Sequence, residues 1–222
     1  MDEKLPIGIP ELDQALLGGV LKGTLSVVLG PPGAGKSILG KRFVFTGLQA
    51  GKEAFLVSTT QGEDKVKQAM KSFNWTDGGD KLHILDCYSW RFGSAHGKYW
   101  ARAGSLTDVS VTLSRMLDDA GITASSDARI VIDSFTDFIK NAGLDRALRL
   151  LDAFRGKLKA REMTGLLLLE EGVHDEKTNS SVEYATDGTI KMKVTDQGRF
   201  MMVSRMSGTP ISPKWMPYVI GR

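Results

Sequence analysis

Lys36 and Ser37 stand at the end of Gly30-Pro31-Pro32-Gly33-Ala34-Gly35, and the eight residues spell G-x-x-x-x-G-K-[ST]. These residue types at this spacing suit one kind of chemistry. Glycines let a backbone wrap closely around an anion with its N–H groups turned inward, and the opening turn of a helix adds partial positive charge. The Lys36 ammonium is then placed for β- and γ-phosphate oxygens and the Ser37 hydroxyl for Mg²⁺. A second metal contact is expected from a carboxylate closing an apolar strand. Asp133, at the end of Ile130-Val-Ile-Asp133, meets that description, and its expected task is to hold a metal-bound water rather than to take a proton. The ligand expected from these residues is ATP, with ADP as product, accompanied by Mg²⁺. Glu170-Glu171 closes another apolar run. Glu170 is a candidate base or γ-phosphate sensor, and equally a strand-end carboxylate in solvent.

Such residues act only if strands and helices hold them. Thr24-Leu-Ser-Val-Val-Leu-Gly30 reads as a strand buried on both faces, and a helix is expected from Lys36 to Ala50. Glu53 to Thr59 reads as a strand, and 62–72 as a helix whose acidic start and basic end suit its dipole. Lys81 to Asp86 is expected to be a strand, Leu106 to Asp119 a helix capped by Thr107 or Asp108, and Arg129 to Asp133 a strand. Leu144 to Ala160 reads as an amphipathic helix leading to the strand Thr164 to Glu170. The period then becomes two, giving a hairpin of Thr189 to Val194 and Arg199 to Val203 around Asp196-Gln-Gly198. This alternation predicts an α/β fold: a largely parallel sheet, helices on both faces and a C-terminal antiparallel hairpin at one edge. No Pro/Ser-rich linker interrupts it, so 1–222 reads as a single domain.

Composition narrows the classes further. The chain has 222 residues, 41% of them hydrophobic and 25% charged, and a net charge of +3, which permits nucleic acid without demanding it. A single cysteine, Cys87, excludes a disulfide scaffold and a zinc site of several thiolates. No signal-peptide pattern opens the chain and no apolar run approaches the roughly 18 residues of a membrane span, so a cytoplasmic setting without membrane contact is expected. Cys87 and Met192, Met201, Met202 and Met206 read as packing residues and His83 as a hydrogen-bonded core residue. His96 and His174 lack the partners of a metal site.

The least ordinary stretch is Tyr88 to Gly104, with five aromatics, three fixed positive charges and no acid. Rings interleaved with cations suit single-stranded DNA, whose bases stack while the phosphates follow the charges. The same rings also suit packing of a long loop against a sheet edge or a second subunit.

Gly8-Ile-Pro-Glu-Leu-Asp13 with Gly18-Gly19, the two motifs above, and Val203-Ser-Arg-Met-Ser-Gly-Thr209 followed by Pro217-Tyr-Val-Ile220 span almost the whole chain. Together they resemble the KaiC/RadA-like branch of the RecA superfamily of P-loop ATPases. The resemblance implies a RecA-like ATPase fold and a homo-oligomer, ring or filament, with ATP between subunits. Two departures bear on turnover. Where relatives that hydrolyse ATP well carry a Glu pair, Thr60 and Gln61 stand here; Gln61 can orient water but cannot take its proton. Glu63 is a fallback base if the preceding strand runs two residues further, and otherwise a helix-start carboxylate. Where the family offers two cations to the neighbour's γ-phosphate, Arg205 is kept and Ser207 replaces the second. The expectation is an ATP-binding protein with slow or partner-stimulated hydrolysis. The alternatives are a recombinase paralogue that binds single-stranded DNA through residues 88–104, and a nucleotide-gated, non-enzymatic scaffold in a motor or signalling assembly.

Overall fold

The run Leu25-Ser-Val-Val-Leu-Gly30 is buried at every residue, which requires strands on both sides and covering layers on both faces. The computed structural model describes residues 3–75, 79–94, 97–124 and 126–220 and supplies both. Two short strands, β1 (Lys4–Leu5) and β2 (Val20–Leu21), pair on either side of helix α1 (Pro10–Ala15) in the sequence. Strand and helix then alternate through β3 (Leu25–Gly30), α2 (Lys36–Gln49), β4 (Ala54–Ser58), α3 (Glu63–Ser72) and β5 (Leu82–Asp86). Next come β6 (Tyr99–Trp100), α4 (Leu106–Asp119), β7 (Arg129–Asp133), α5 (Phe135–Ala142) and α6 (Leu144–Ala160). The order closes with β8 (Thr164–Glu170), α7 (Glu176–Tyr184), β9 (Gly188–Thr195), β10 (Gly198–Met206) and β11 (Met216–Tyr218).

Nine strands form one sheet in the order β11-β10-β9-β3-β8-β7-β4-β5-β6. From β9 to β6 every neighbour runs parallel, and β10 and β11 add antiparallel strands at one edge. Alternate residues of each strand feed opposite layers. Val27, Leu167 and Ile132 pack with Phe135, Phe138 and Phe154 on one face, while Val28, Leu168 and Val131 pack with Leu39, Phe43 and Met70 on the other. The expected α/β architecture is the observed one.

The parallel strands end along one edge of the sheet, where ligands of such folds bind. Register places Gly30 beside Glu170 and Ser58 beside Asp133. Three expected signals, the Gly30 loop, Glu170 and Asp133, therefore meet on one rim.

Several elements differ from expectation. The cap of α4 is Ser105, whose hydroxyl accepts the Asp108 amide at 3.4 Å, and not Thr107 or Asp108. Those two lie in the first turn, where the Asp108 charge favours the helix dipole. Helices α1, α5 and α7 are additional. Among them α7 buries only Asn179 and Val182, too little for an apolar stripe to show. The described parts of the stretch, 88–94 and 97–104, hold a 3-10 turn at Ser89–Phe92 and β6 pairing with β5, where the sequence predicts a long loop.

An ionic latch joins the ends of several segments. Asp127 pairs with Lys22 and, at 2.7 Å, with Lys52, and these ammonium groups hold its carboxyl below the usual range. A depressed carboxylate adds stability above its unfolded pKa of about 4 and loses it as the pH falls through the folded value. Asp127→Asn should therefore cost about 1 kcal/mol at pH 7. The difference should shrink as the pH falls below about 4 toward the lowered folded value, as read by urea unfolding at pH 7 and at successively more acid pH.

Candidate nucleotide site

The loop between β3 and α2 is shaped by two positions that admit no side chain. A Cβ on Gly30 would lie 2.7 Å from the Met192 carbonyl oxygen on β9. Gly35, the residue before α2, has φ +96°, and a Cβ there would meet the Tyr218 ring at 2.7 Å. Its carbonyl accepts the amides of Ile38 and Leu39. By contrast, the amides of Gly33, Gly35, Lys36 and Ser37 donate to no described residue. Four backbone donors around the start of a 14-residue helix make an anion cradle.

Lys36 enters this cradle from α2. Its ammonium donates to the carbonyls of Gly30 at 2.7 Å and Pro31 at 2.8 Å, and pairs with Glu170 Oε1 at 3.3 Å. Burial lowers its pKa, and the Glu170 charge opposes that shift. Glu170 is fixed in turn by its own backbone: its amide donates to Thr136 Oγ1, and the Glu171 amide donates to the Gly30 carbonyl. The end of β8 is thus tied both to the loop and to α5.

Asp133 lies buried at the end of β7, followed by a cis peptide to Ser134. Thr59 grips this bend from β4's end. Its amide donates to the Asp133 carbonyl, its hydroxyl donates to the Ser134 carbonyl and accepts the Ser134 amide. Across from the carboxylate stands a residue that motif reading passed over. Lys41 Nζ lies 3.7 Å from Asp133 Oδ2, and the two side chains are 4% and 5% exposed. The available signal was a lysine one turn beyond Ser37, between the apolar residues Leu39 and Phe43 of α2.

The antiparallel strands wall the loop on its other side. Arg199 on β10 donates through Nε to the Gly33 carbonyl at 2.8 Å, and Tyr218 is its cross-strand neighbour on β11. Burial pushes the Tyr218 hydroxyl up to about 12, so it stays protonated at neutral pH.

The remaining candidates are dispersed. Gln61 follows β4, where its backbone is held by Ser58 Oγ and its own Oε1 is buried without a partner. Strand β4 ends at Ser58, so the longer strand on which Glu63 depended is not formed. Glu63 opens α3 and pairs with Lys67 at 2.6 Å, in the helix-start setting. Arg205 sits opposite Thr189, which is level with Val27, three residues before Gly30 in β3. There its guanidinium donates to the carbonyls of Glu183 and Thr186 at the end of α7.

Asp86 is a second residue that motif reading missed. Buried at the end of β5, it accepts the amides of Glu63, Tyr88 and Ser89 and the Ser89 hydroxyl, so one carboxylate organises two loop starts. Within 88–104, Tyr99 is buried with its hydroxyl on Asp119, and Trp90 donates its indole N–H to the Cys87 carbonyl. Arg91 is exposed, as are Phe92 at 67% and Trp100 at 47%. Cys87 is buried, and burial raises its thiol pKa. His83 stacks on Phe55 and contacts Glu53 at 2.6 Å, and His174 lies 3.4 Å from the Thr136 carbonyl. Met192, Met201 and Met206 are core residues, Met202 is half-buried, and His96 lies outside the described residues. Among the described residues no helix is long and apolar enough to cross a membrane.

Comparisons with known proteins follow this geometry. A UPF0273 protein of Thermotoga maritima is 26% identical, over 99% of this chain and 93% of that protein. One of Methanopyrus kandleri is 25% identical, over 98% and 89% respectively. Among solved structures, a KaiC-like protein of Pyrococcus horikoshii superposes with a TM-score of 0.78 at 18% identity, covering 99% of this chain and 96% of that one. It supports the fold. The model of the family described as "ATPase: KaiC" matches residues 5–222, so the chain belongs to the KaiC-like ATPase domain family, a RecA-superfamily group of P-loop ATPases.

Proposed function

We propose that residues 1–222 act as one unit that binds ATP and ADP with Mg²⁺ and hydrolyses ATP slowly or when a partner stimulates it. The observation that carries this reading is the cradle of four free amides, with the Lys36 ammonium drawn into it. Gly30, Pro31, Pro32, Gly33, Ala34 and Gly35 supply the wrap around the phosphates. Lys36 exchanges its two carbonyl contacts for phosphate oxygens, keeping Glu170 as counter-charge. For Mg²⁺ the donor chemistry fits, since Ser37 offers a hydroxyl and Asp133 a carboxylate, both hard oxygen donors. Bound Mg²⁺ supplies charge neutralisation on the β- and γ-phosphates.

We assign Glu170, beside the loop and 3.3 Å from the Lys36 ammonium, as the acceptor for the proton of an attacking water; a carboxylate already paired with an ammonium accepts a proton less readily, in keeping with slow turnover. Gln61 serves to orient that water. Arg205 points away from its own loop and is suited to an adjacent copy, which makes a homo-oligomer with nucleotide at its contacts the matching assembly. Titration calorimetry with Mg-ATP, paired with sedimentation with and without nucleotide, tests the reading. Binding with a shift to larger species supports it, and absence of binding ends it.

A second reading rests on the exposed Arg91, Phe92 and Trp100. They offer single-stranded DNA two stacking surfaces and a cation, worth about 1–3 kcal/mol per stacked base. Trp100→Ala should weaken salt-sensitive binding of a labelled oligothymidylate about tenfold by anisotropy. Unchanged binding removes the stretch from consideration.

A further inference from the structure

The phosphate site contains two buried cations, whereas its motif requires one. Lys36 belongs to the motif and faces Glu170. Lys41 does not, and it faces Asp133 at 3.7 Å with both side chains almost fully enclosed. An ammonium is placed at such depth only against an opposite charge, because leaving either group unpaired would be costly. Asp133 is the carboxylate whose negative charge a divalent cation would otherwise counter. Here the chain counters it from α2.

Two charge pairs at the cradle are therefore in place before any ligand arrives: Lys36 with Glu170, and Lys41 with Asp133. A polyphosphate approaching an unpaired Asp133 would meet repulsion that Mg²⁺ must first relieve. With Lys41 in place that repulsion is largely absent, and the cradle amides and Lys36 are ready for phosphate oxygens. We propose that Lys41 acts as a built-in counter-cation at Asp133, so that this site takes nucleoside di- and triphosphates with little dependence on Mg²⁺. The inference rests on the nucleotide reading above and concerns binding rather than turnover. Lys41 here is a positioning residue: it acts on the ligand through Asp133.

The test is the affinity of the full chain for a fluorescent ATP analogue, in excess Mg²⁺ and in EDTA, for the unmodified protein, Lys41→Met and Lys41→Arg. For the unmodified chain the two dissociation constants should agree within about threefold. Removing a buried charge next to the ligand should cost at least about tenfold in the metal-free affinity of Lys41→Met, so the ratio of the two constants rises by that factor. Lys41→Arg keeps the charge and should keep the ratio low. A purely structural role for Lys41 would alter thermal stability without changing the ratio. The inference is overturned if the unmodified protein already needs Mg²⁺ by more than about thirtyfold, or if Lys41→Met keeps the parent ratio. The first comparison uses only the unmodified chain, so it stands even if Lys41→Met does not fold. If the unmodified protein binds the analogue under neither condition, the nucleotide reading falls and this inference with it. Binding with a strong Mg²⁺ requirement removes the inference alone.

Discussion

In Lys36→Ala, affinity for ATP should fall by about a hundredfold or more, measured by titration calorimetry, while the melting temperature changes little. The two readouts separate because the ammonium has different uses with and without ligand. Without ligand it satisfies the Gly30 and Pro31 carbonyls and Glu170, and these contacts offset its burial, which by itself disfavours the charged form. With phosphate present it forms charge-assisted hydrogen bonds of about 1.5–3 kcal/mol each. Losing about 2.8 kcal/mol corresponds to the hundredfold change. Glu170→Gln gives the contrasting pattern: it keeps the ring of contacts and should bind ATP while losing turnover. Equal binding by Lys36→Ala and the unmodified chain would place the nucleotide elsewhere.

Arg129→Met should lower the unfolding free energy by about 3 kcal/mol, with an unchanged dependence on denaturant, in urea titrations. Arg129 opens β7, at the opposite end of that strand from Asp133. Only 3% exposed, it donates through Nη1 to the Pro6 carbonyl at 2.5 Å and the Phe43 carbonyl at 3.1 Å, with its guanidinium 4.7 Å from the centre of the Phe43 ring. Burial lowers its pKa to about 10, and the charges of Asp13 and Asp127 oppose that fall. It stays protonated at neutral pH. Methionine fills much of the same space, so the loss comes from the Pro6 carbonyl left without its donor, from the second bond lost at the Phe43 carbonyl of α2, and from loosening of the segment before α1. Asp13 accepts the amides of Ile7 and Gly8, and Arg42 and Thr46 donate to the Gly8 and Ile7 carbonyls, so the segment keeps these ties and the loss stays partial. Because Arg129 lies away from the cradle, the ATP affinity of the folded fraction should remain that of the parent.

The fold was legible where burial leaves a periodic trace. β3, β7 and β8 carry apolar runs and are buried at nearly every residue because both faces are covered, and β9 with β10 alternate because one face meets water. Elements that bury little left no trace: α7 encloses two residues, and β6 is a two-residue pairing whose Tyr99 alone turns inward. In the site, the phosphate motif could be read because its glycines, lysine and serine lie at a fixed spacing in one short segment, with Gly35 at a positive φ. Lys41 and Thr59 could not. Their importance comes from β7 and β4 lying side by side, with Asp133 opposite Ser58, and from α2 crossing over them. Such partners are remote in sequence and carry no fixed spacing. The rings of 88–104 illustrate the reverse case, a conspicuous composition of which Tyr99 serves the sheet edge.

The contact between Arg199 and Gly33 joins residues 166 positions apart. During synthesis the phosphate loop emerges early, while the strands that wall it are among the later parts of this sequence. A nascent chain that ends before β9 would carry the motif without Met192, Arg199 or Tyr218 beside it. The residues proposed to bind phosphate thus precede their walls in the sequence, and the pocket as described is complete only with β11 in place. Nucleotide captured by this pocket would act after that point, drawing the finished sheet toward its closed arrangement by mass action.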